Sequence, residues 1–179
     1  MEEITYQGLT FEPYIRREEI AKQVHRLAEE VKRDYEGKCP LFLCILNGAF
    51  IFAADLFRAC DLHDAEIAFI RFKSYQGMES TGEVKQLMGL TDDITGRHVL
   101  IVEDIIDTGT TMKLVVPQFY YKGAKDVKIA TLLRKPSNLR YPDLKVDYCG
   151  MDVADKFLVG YGLDYDEEGR WLRDIYEMV

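Results

Sequence analysis

Histidine and cysteine are both sparse in this chain, and neither falls in a metal-binding or disulfide pattern. Its three histidines (His25, His63, His98) are scattered, and its four cysteines (Cys39, Cys44, Cys60, Cys149) include no C-x-x-C pair. Such spacing offers no zinc cage, so the thiols are expected to stay reduced in a cytosolic interior. Also missing is any apolar run of about 18 residues, the least that spans a bilayer. The opening MEEITYQG is acidic and polar, unlike the basic end and apolar stretch of a signal peptide. The expectation is a cytoplasmic protein with no membrane partner. Positive charge is in deficit, with 23 Lys and Arg against 31 Asp and Glu and a formal net charge of −8. An acidic surface repels a phosphodiester backbone, which argues against a nucleic-acid partner, although a local basic patch can still hold a small polyphosphate. Neither G-x-x-x-x-G-K-[ST] nor G-x-G-x-x-G occurs, and no repeat, linker or low-complexity tract interrupts the sequence.

What is present is an ordinary globular composition, 47% hydrophobic and 30% charged over 179 residues. A chain of that length buries about 70% of its unfolded surface, enough for one domain without staples. Ile20, Val24, Leu27, Ala28 and Val31 recur at helical spacing within 16–35, and Gly37 follows as a stop. LFLCIL (41–46), EIAFIRF (66–72), HVLIV (98–102) and VKIATLL (127–133) read as buried strands. FIFAADLFRAC (50–60) reads as a helix, as does the segment carrying Met112, Val115, Val116 and Phe119, where Pro117 predicts a kink. Continuously apolar strands alternating with helices predict an α/β fold with a parallel sheet covered on both faces. The N-terminal helix and an irregular C-terminal third are expected to cap that sheet within a single domain, 1–179.

The chemistry concentrates in VLIVEDIIDTGTTM (99–112). In open parallel sheets ligands sit beyond the carboxyl ends of the strands. There Thr108, Gly109, Thr110 and Thr111 precede a predicted helix, so their N–H groups and hydroxyls can surround a phosphate. Glu103 and Asp104 would repel that phosphate, unless they accept hydrogen bonds from a diol or help hold a divalent cation. A ribose 5-phosphate presents both groups. The bland alternatives are a solvated acidic turn and an Asp107 that merely caps the helix.

The stretch VLIVEDIIDTGTTM resembles the phosphoribosyl pyrophosphate motif of the type I phosphoribosyltransferases, and its EDIIDTG form is similar to the hypoxanthine-guanine branch. LNGAF (46–50), FKSYQGMESTGEVK (72–85), LLRKP (132–136) and DKFLVGYGLDYDEEGRWLRD (155–174) follow in that family's order. The resemblance implies a parallel sheet flanked by helices, with a small hood from the terminal segments and a lid over about 74–85 carrying Ser74 and Tyr75. It implies transfer of a 6-oxopurine onto C1 of phosphoribosyl pyrophosphate with Mg²⁺. Asp107 would then be the general acid/base at purine N7, and Glu103, Asp104, Ile105, Ile106 and the threonine loop would hold the ribose phosphate. Lys135, at the end of a predicted strand, can reach the same crevice and donate to purine O6. Phe157 would stack on the base, and the backbone around Lys156 and Leu158 would read its edge. Asn47 and Gly48 would form the pyrophosphate loop, with Arg170 as a further contact and Asp164 beside Mg²⁺, with Glu103 and Asp104 as further candidate ligands. Asn47 stands where relatives often carry a basic residue, and Thr110 replaces a lysine of some members; in relatives the bond matching Leu46-Asn47 can be cis. A homodimer or homotetramer is implied too. Left open are a xanthine preference, a non-catalytic phosphoribosyl pyrophosphate-binding regulator and a plain nucleotide-binding module.

Overall fold

The structure, a computed structural model, describes residues 2–73, 85–88 and 93–179. The expected lid falls largely outside the described residues, Ser74 and Tyr75 included. In chain order the elements are β1 (Ile4–Tyr6), β2 (Leu9–Ile15), α1 (Arg17–Tyr35), β3 (Leu41–Leu46), α2 (Phe50–Cys60), β4 (Glu66–Lys73) and β5 (Lys85–Met88). Then come β6 (His98–Ile106), α3 (Thr110–Tyr121), β7 (Asp126–Arg134), a 3-10 turn at Pro136–Asn138, β8 (Tyr148–Asp152), β9 (Leu158–Val159) and β10 (Ile175–Met178).

The main sheet has the order β5-β4-β3-β6-β7-β8. Its strands from β4 to β8 in that order run parallel, and β5 is antiparallel to β4. Alternation along β3 explains why both faces are apolar. Phe42 and Cys44 join the core under α1 and α2, whereas Leu41, Leu43 and Ile45 join the core under α3. Full burial of one such aliphatic side chain contributes roughly 1.5–3 kcal/mol, so covering both faces is what makes the sheet stable. Pro117 lies inside α3, which continues unbroken to Tyr121.

Three expectations need correction. The third strand does not stop at residue 102 but runs on to Ile106, carrying Glu103 and Asp104 inside the ladder. Thr110 and Thr111 do not precede the helix; they are its first residues. The C-terminal third is not wholly irregular, because β8 joins the main sheet while β10 pairs with β2 on one side and with β9 on the other. That second sheet, of order β1-β2-β10-β9, is antiparallel throughout and closes over Phe11, Val159, Leu172 and Tyr176. It is the hood. Pro13 is tolerated in β2 because it lies where the register against β10 slips, the setting in which a strand can spare an N–H.

One buried acid ties hood to core. Asp174 is 3% exposed and accepts hydrogen bonds from the Arg17 backbone N–H at 2.7 Å and from its guanidinium at 3.1 and 2.6 Å. The N-cap residue of α1, Arg16, makes no side-chain cap, so a carboxylate from the far end of the chain satisfies the helix's first turn instead. The Arg17 side chain, then its N–H, hold the Asp174 carboxyl below the usual range despite burial. A depressed acid stabilises the fold above the ordinary carboxylate pKa of about 4, and the contribution is lost as pH falls through the lower folded value. Asp174→Ala is expected to cost about 2–4 kcal/mol in urea unfolding at pH 7 and much less near pH 2; an unchanged midpoint at pH 7 would contradict this clamp.

Candidate active site

The parallel register between β6 and β7 sets Ile105 opposite Leu133 and Ile106 opposite Arg134. It then continues beyond the strands. The N–H of Lys135 donates to the Ile106 carbonyl at 2.9 Å, and that of Arg140 to the Thr108 carbonyl at 3.0 Å. Those bonds bracket Asp107 from both sides. The loop after β7 therefore clasps the loop after β6, and the two side chains expected to read a base emerge together. Lys135 Nζ lies 3.6 Å from Asp107 Oδ2 and donates to Asp155 Oδ1 at 3.1 Å. With Lys135 only 8% exposed, its position is fixed by its surroundings rather than by solvent.

Asp107 is not a helix cap. The N-cap of α3 is Gly109, at φ 77°, a left-handed conformation that favours glycine. A Cβ there would also come within 2.8 Å of Leu144 Cδ2. The Asp107 carboxylate is exposed and turns toward the β7 loop, where Asn138 Nδ2 donates to its Oδ1 at 2.8 Å. In the threonine loop the Thr110 N–H reaches Thr108 Oγ1 at 3.3 Å, and the two hydroxyl oxygens lie 3.0 Å apart. Glu103, Ile105, Ile106, Asp107, Thr108 and Gly109 line a cavity of about 120 Å³ in front of the helix. A larger hollow of about 520 Å³ lies between α1, α2 and Trp171, but it is nearly all apolar and contains none of these groups.

Glu103 and Asp104 are half-buried strand residues rather than a solvated turn. Asp104 N–H donates to Glu103 Oε1 at 3.1 Å, and Ile105 N–H to Asp104 Oδ1 at 2.8 Å. Burial, then the neighbouring Asp104 charge, pushes the Glu103 carboxyl well above its usual range. Burial raises Asp104 as well, against the opposing pull of its hydrogen bonds with Glu103 and Ile105. Two acids that resist carrying two charges suit a ligand that offers hydroxyls or positive charge.

Asp104 also joins the site to its other wall. A Cβ on Gly48 would overlap the Asp104 carboxylate, and one on Gly162 would overlap the Gly48 carbonyl, so three segments meet here only because two of them are glycine. The Leu46-Asn47 peptide is cis. Arg170 donates to the Gly162 carbonyl at 2.8 Å, and its guanidinium also pairs with Asp164 at 2.9 Å and Glu167 at 2.8 Å. Asn47, Gly48, Asp164 and Arg170 thus share one wall, and Asp107, Lys135 and the threonine loop share another. Phe157 is 44% exposed, so it is no core residue; Tyr165 meets its ring edge-on at 5.7 Å. Lys156 and Leu158 flank it, with Leu158 in β9. Among the described residues no three His, Cys, Asp or Glu side chains converge as a metal cage. Asn138 and Asp155 went unnoticed in the sequence; the only signal was a turn-forming proline directly after Lys135.

A family model for the phosphoribosyl transferase domain matches residues 14–166. The chain is 45% identical over 157 residues to a hypoxanthine-guanine phosphoribosyltransferase of Bacillus subtilis, spanning 87% of this chain and 86% of that protein. It is 40% identical over 172 residues to one of Aquifex aeolicus, covering 95% and 96%. The crystal structure of a hypoxanthine phosphoribosyltransferase from Staphylococcus aureus superimposes with a TM-score of 0.88 at 37% identity, over 94% of this chain and 91% of that one.

The acidic pair carries a stability cost that ligand-free protein can reveal. An acid whose folded pKa is raised destabilises the fold once pH exceeds its unfolded value. Glu103→Gln is therefore expected to raise stability by about 1–2 kcal/mol at pH 7 and to leave it unchanged near pH 3. Urea midpoints at the two pH values measure the difference, and a loss at pH 7 would contradict the assignment.

Proposed function

The chain belongs to the phosphoribosyl transferase family, and on that premise we propose that it is a purine-salvage enzyme. It converts hypoxanthine, and guanine with it, plus phosphoribosyl pyrophosphate into the nucleoside monophosphate and pyrophosphate. The observation that carries the reading is the pair formed by Asp107 Oδ2 and Lys135 Nζ, 3.6 Å apart at the mouth of the phosphate cradle. A 6-oxopurine presents N7 and O6 side by side on one edge, so a carboxylate and an ammonium at that spacing match both. Adenine puts an amino donor where Lys135 needs an acceptor, which leaves a buried cation facing a donor. Relatives named for hypoxanthine and guanine lend no support to a xanthine preference or to a non-catalytic regulator.

In this reading the threonine loop and the α3 N-terminus bind the 5-phosphate, and Glu103 and Asp104 accept hydrogen bonds from the ribose hydroxyls. As pyrophosphate departs, positive charge grows on the ribose, and the same acids stabilise it, as carboxylates do in glycoside cleavage. Asp107 takes or shares the N7 proton while N9 attacks C1. Lys135 holds O6, and the exposed face of Phe157 stacks on the ring. Backbone groups around Lys156 and Leu158 read the far edge. Asn47, Gly48 and Arg170 hold the leaving group. Mg²⁺ supplies charge neutralisation on the pyrophosphate when bound. Asp164 suits that ion as a single carboxylate ligand, with Glu103 and Asp104 near the sugar, because Mg²⁺ takes most of its oxygens from substrate and water.

The rest of the reading extends from the family resemblance. Residues 1–179 would form one phosphoribosyltransferase unit; the lid expected over about 74–85, with Ser74 and Tyr75, falls largely outside the described residues. Four free thiols fit the cytoplasm. A homodimer or homotetramer is the assembly that analytical ultracentrifugation would read.

Initial rates with phosphoribosyl pyrophosphate, Mg²⁺ and each of hypoxanthine, guanine, xanthine and adenine test the activity, with no nucleotide from any base as the contrary result. Lys135→Ala is expected to lower kcat/KM for hypoxanthine roughly 10- to 100-fold, and kinetics equal to the parent would remove it from base recognition. Asp107→Asn should lower kcat by about 100-fold or more while leaving donor affinity nearly intact; undiminished turnover would deny it the proton.

A further inference from the structure

Asn138 has no role in the mechanism above, yet it makes the closest side-chain contact to Asp107. It closes the 3-10 turn that follows Lys135, and its own N–H donates to the Lys135 carbonyl at 3.1 Å. The orientation of its amide is assigned by its surroundings: Ser137 Oγ donates to Asn138 Oδ1 at 3.2 Å, which leaves both amide hydrogens for acceptors. One of them meets Asp107 Oδ1 at 2.8 Å. The other carboxylate oxygen, Oδ2, is the one nearest Lys135. Asp107 stands on an exposed loop, where a carboxylate without a partner would rotate freely and present either oxygen at any angle.

Resting on the phosphoribosyl-transfer reading, we propose that Asn138 is a positioning residue for Asp107. Its amide pins Oδ1 and thereby aims Oδ2 at purine N7, at a fixed spacing from the ammonium that holds O6. A neutral donor suits this task. An amide can hold a carboxylate without adding a charge to compete with Lys135 and without offering a proton of its own. Lysine or arginine at this place would pair with Asp107 and weaken it as a base. Asp155 completes the arrangement from behind: it accepts from Lys135 Nζ at 3.1 Å, and Asn138 and Lys135 together hold its carboxyl below the usual range. Lys135 thus stands between two carboxylates while Asn138 fixes the one that reacts.

Steady-state kinetics of the full-length protein test this. Asn138→Ala is expected to lower kcat for hypoxanthine roughly 10- to 100-fold, leaving KM for phosphoribosyl pyrophosphate within about twofold. Asn138→Leu, close in shape but without amide hydrogens, should match Ala, whereas Asn138→Gln should recover part of the loss. In an Asp107→Asn background, Asn138→Ala should add less than about twofold, since nothing is left to aim. Full additivity of the two substitutions would overturn the proposal, as would parent-like kcat in both the Ala and Leu variants. A parent protein that makes no nucleotide would instead sink the phosphoribosyl-transfer reading itself, an outcome seen before any variant is compared.

Discussion

The in-register pairing of β6 with β7, carried past both strands by the Lys135 N–H to Ile106 carbonyl bond, is the constraint on which the site depends. A parallel ladder fixes which residues leave the sheet together. Here it delivers an acid and a lysine to one edge with their heads 3.6 Å apart. The second loop-to-loop bond, from Arg140 to Thr108, keeps the phosphate cradle in step with that pair. One strand pairing therefore sets where Asp107 and Lys135 stand relative to the threonine loop, the spacing on which the proposed base and sugar-phosphate sites rest.

Local rules of stability are broken in the same place. Glu103 and Asp104 sit half-buried in a strand with raised carboxyl pKa values, and Gly48 and Gly162 give up side chains so that Asp104 and two loops can touch. None of this helps folding. It is sustained by apolar cores on both faces of the sheet and by the Arg17 to Asp174 clamp, which joins the first helix to the residue that leads into the last strand. Acids held above their usual range favour a ligand that offers hydroxyls or positive charge.

Local sequence carried the core and the chemistry, but not the hood. LFLCIL and HVLIV announced buried strands because their burial is continuous, and α1 was legible because Ile20 to Val31 keep a helical period. VLIVEDIIDTGTTM marked the cradle and a predicted strand end brought Lys135 to the same crevice, but only family resemblance joined Phe157 and Asp164 to it. The small sheet was hidden because it pairs Phe11 with Met178 across nearly the whole chain, and because Pro13 disguises its longest strand. The extension of β6 through Glu103 and Asp104 was hidden for another reason: charged residues in a parallel strand run against the apolar pattern used to find one. Asn138 was invisible since an asparagine in a turn is ordinary until its neighbour is known to be Asp107.

A crystal structure of the protein with a 6-oxopurine nucleoside 5-monophosphate tests the central claim most directly. The account predicts N7 within hydrogen-bonding distance of Asp107 Oδ2, O6 within the same distance of Lys135 Nζ, and the phosphate enclosed by residues 108–111. A nucleotide bound with its phosphate elsewhere, or with its N7 and O6 edge turned away from Asp107 and Lys135, would contradict it.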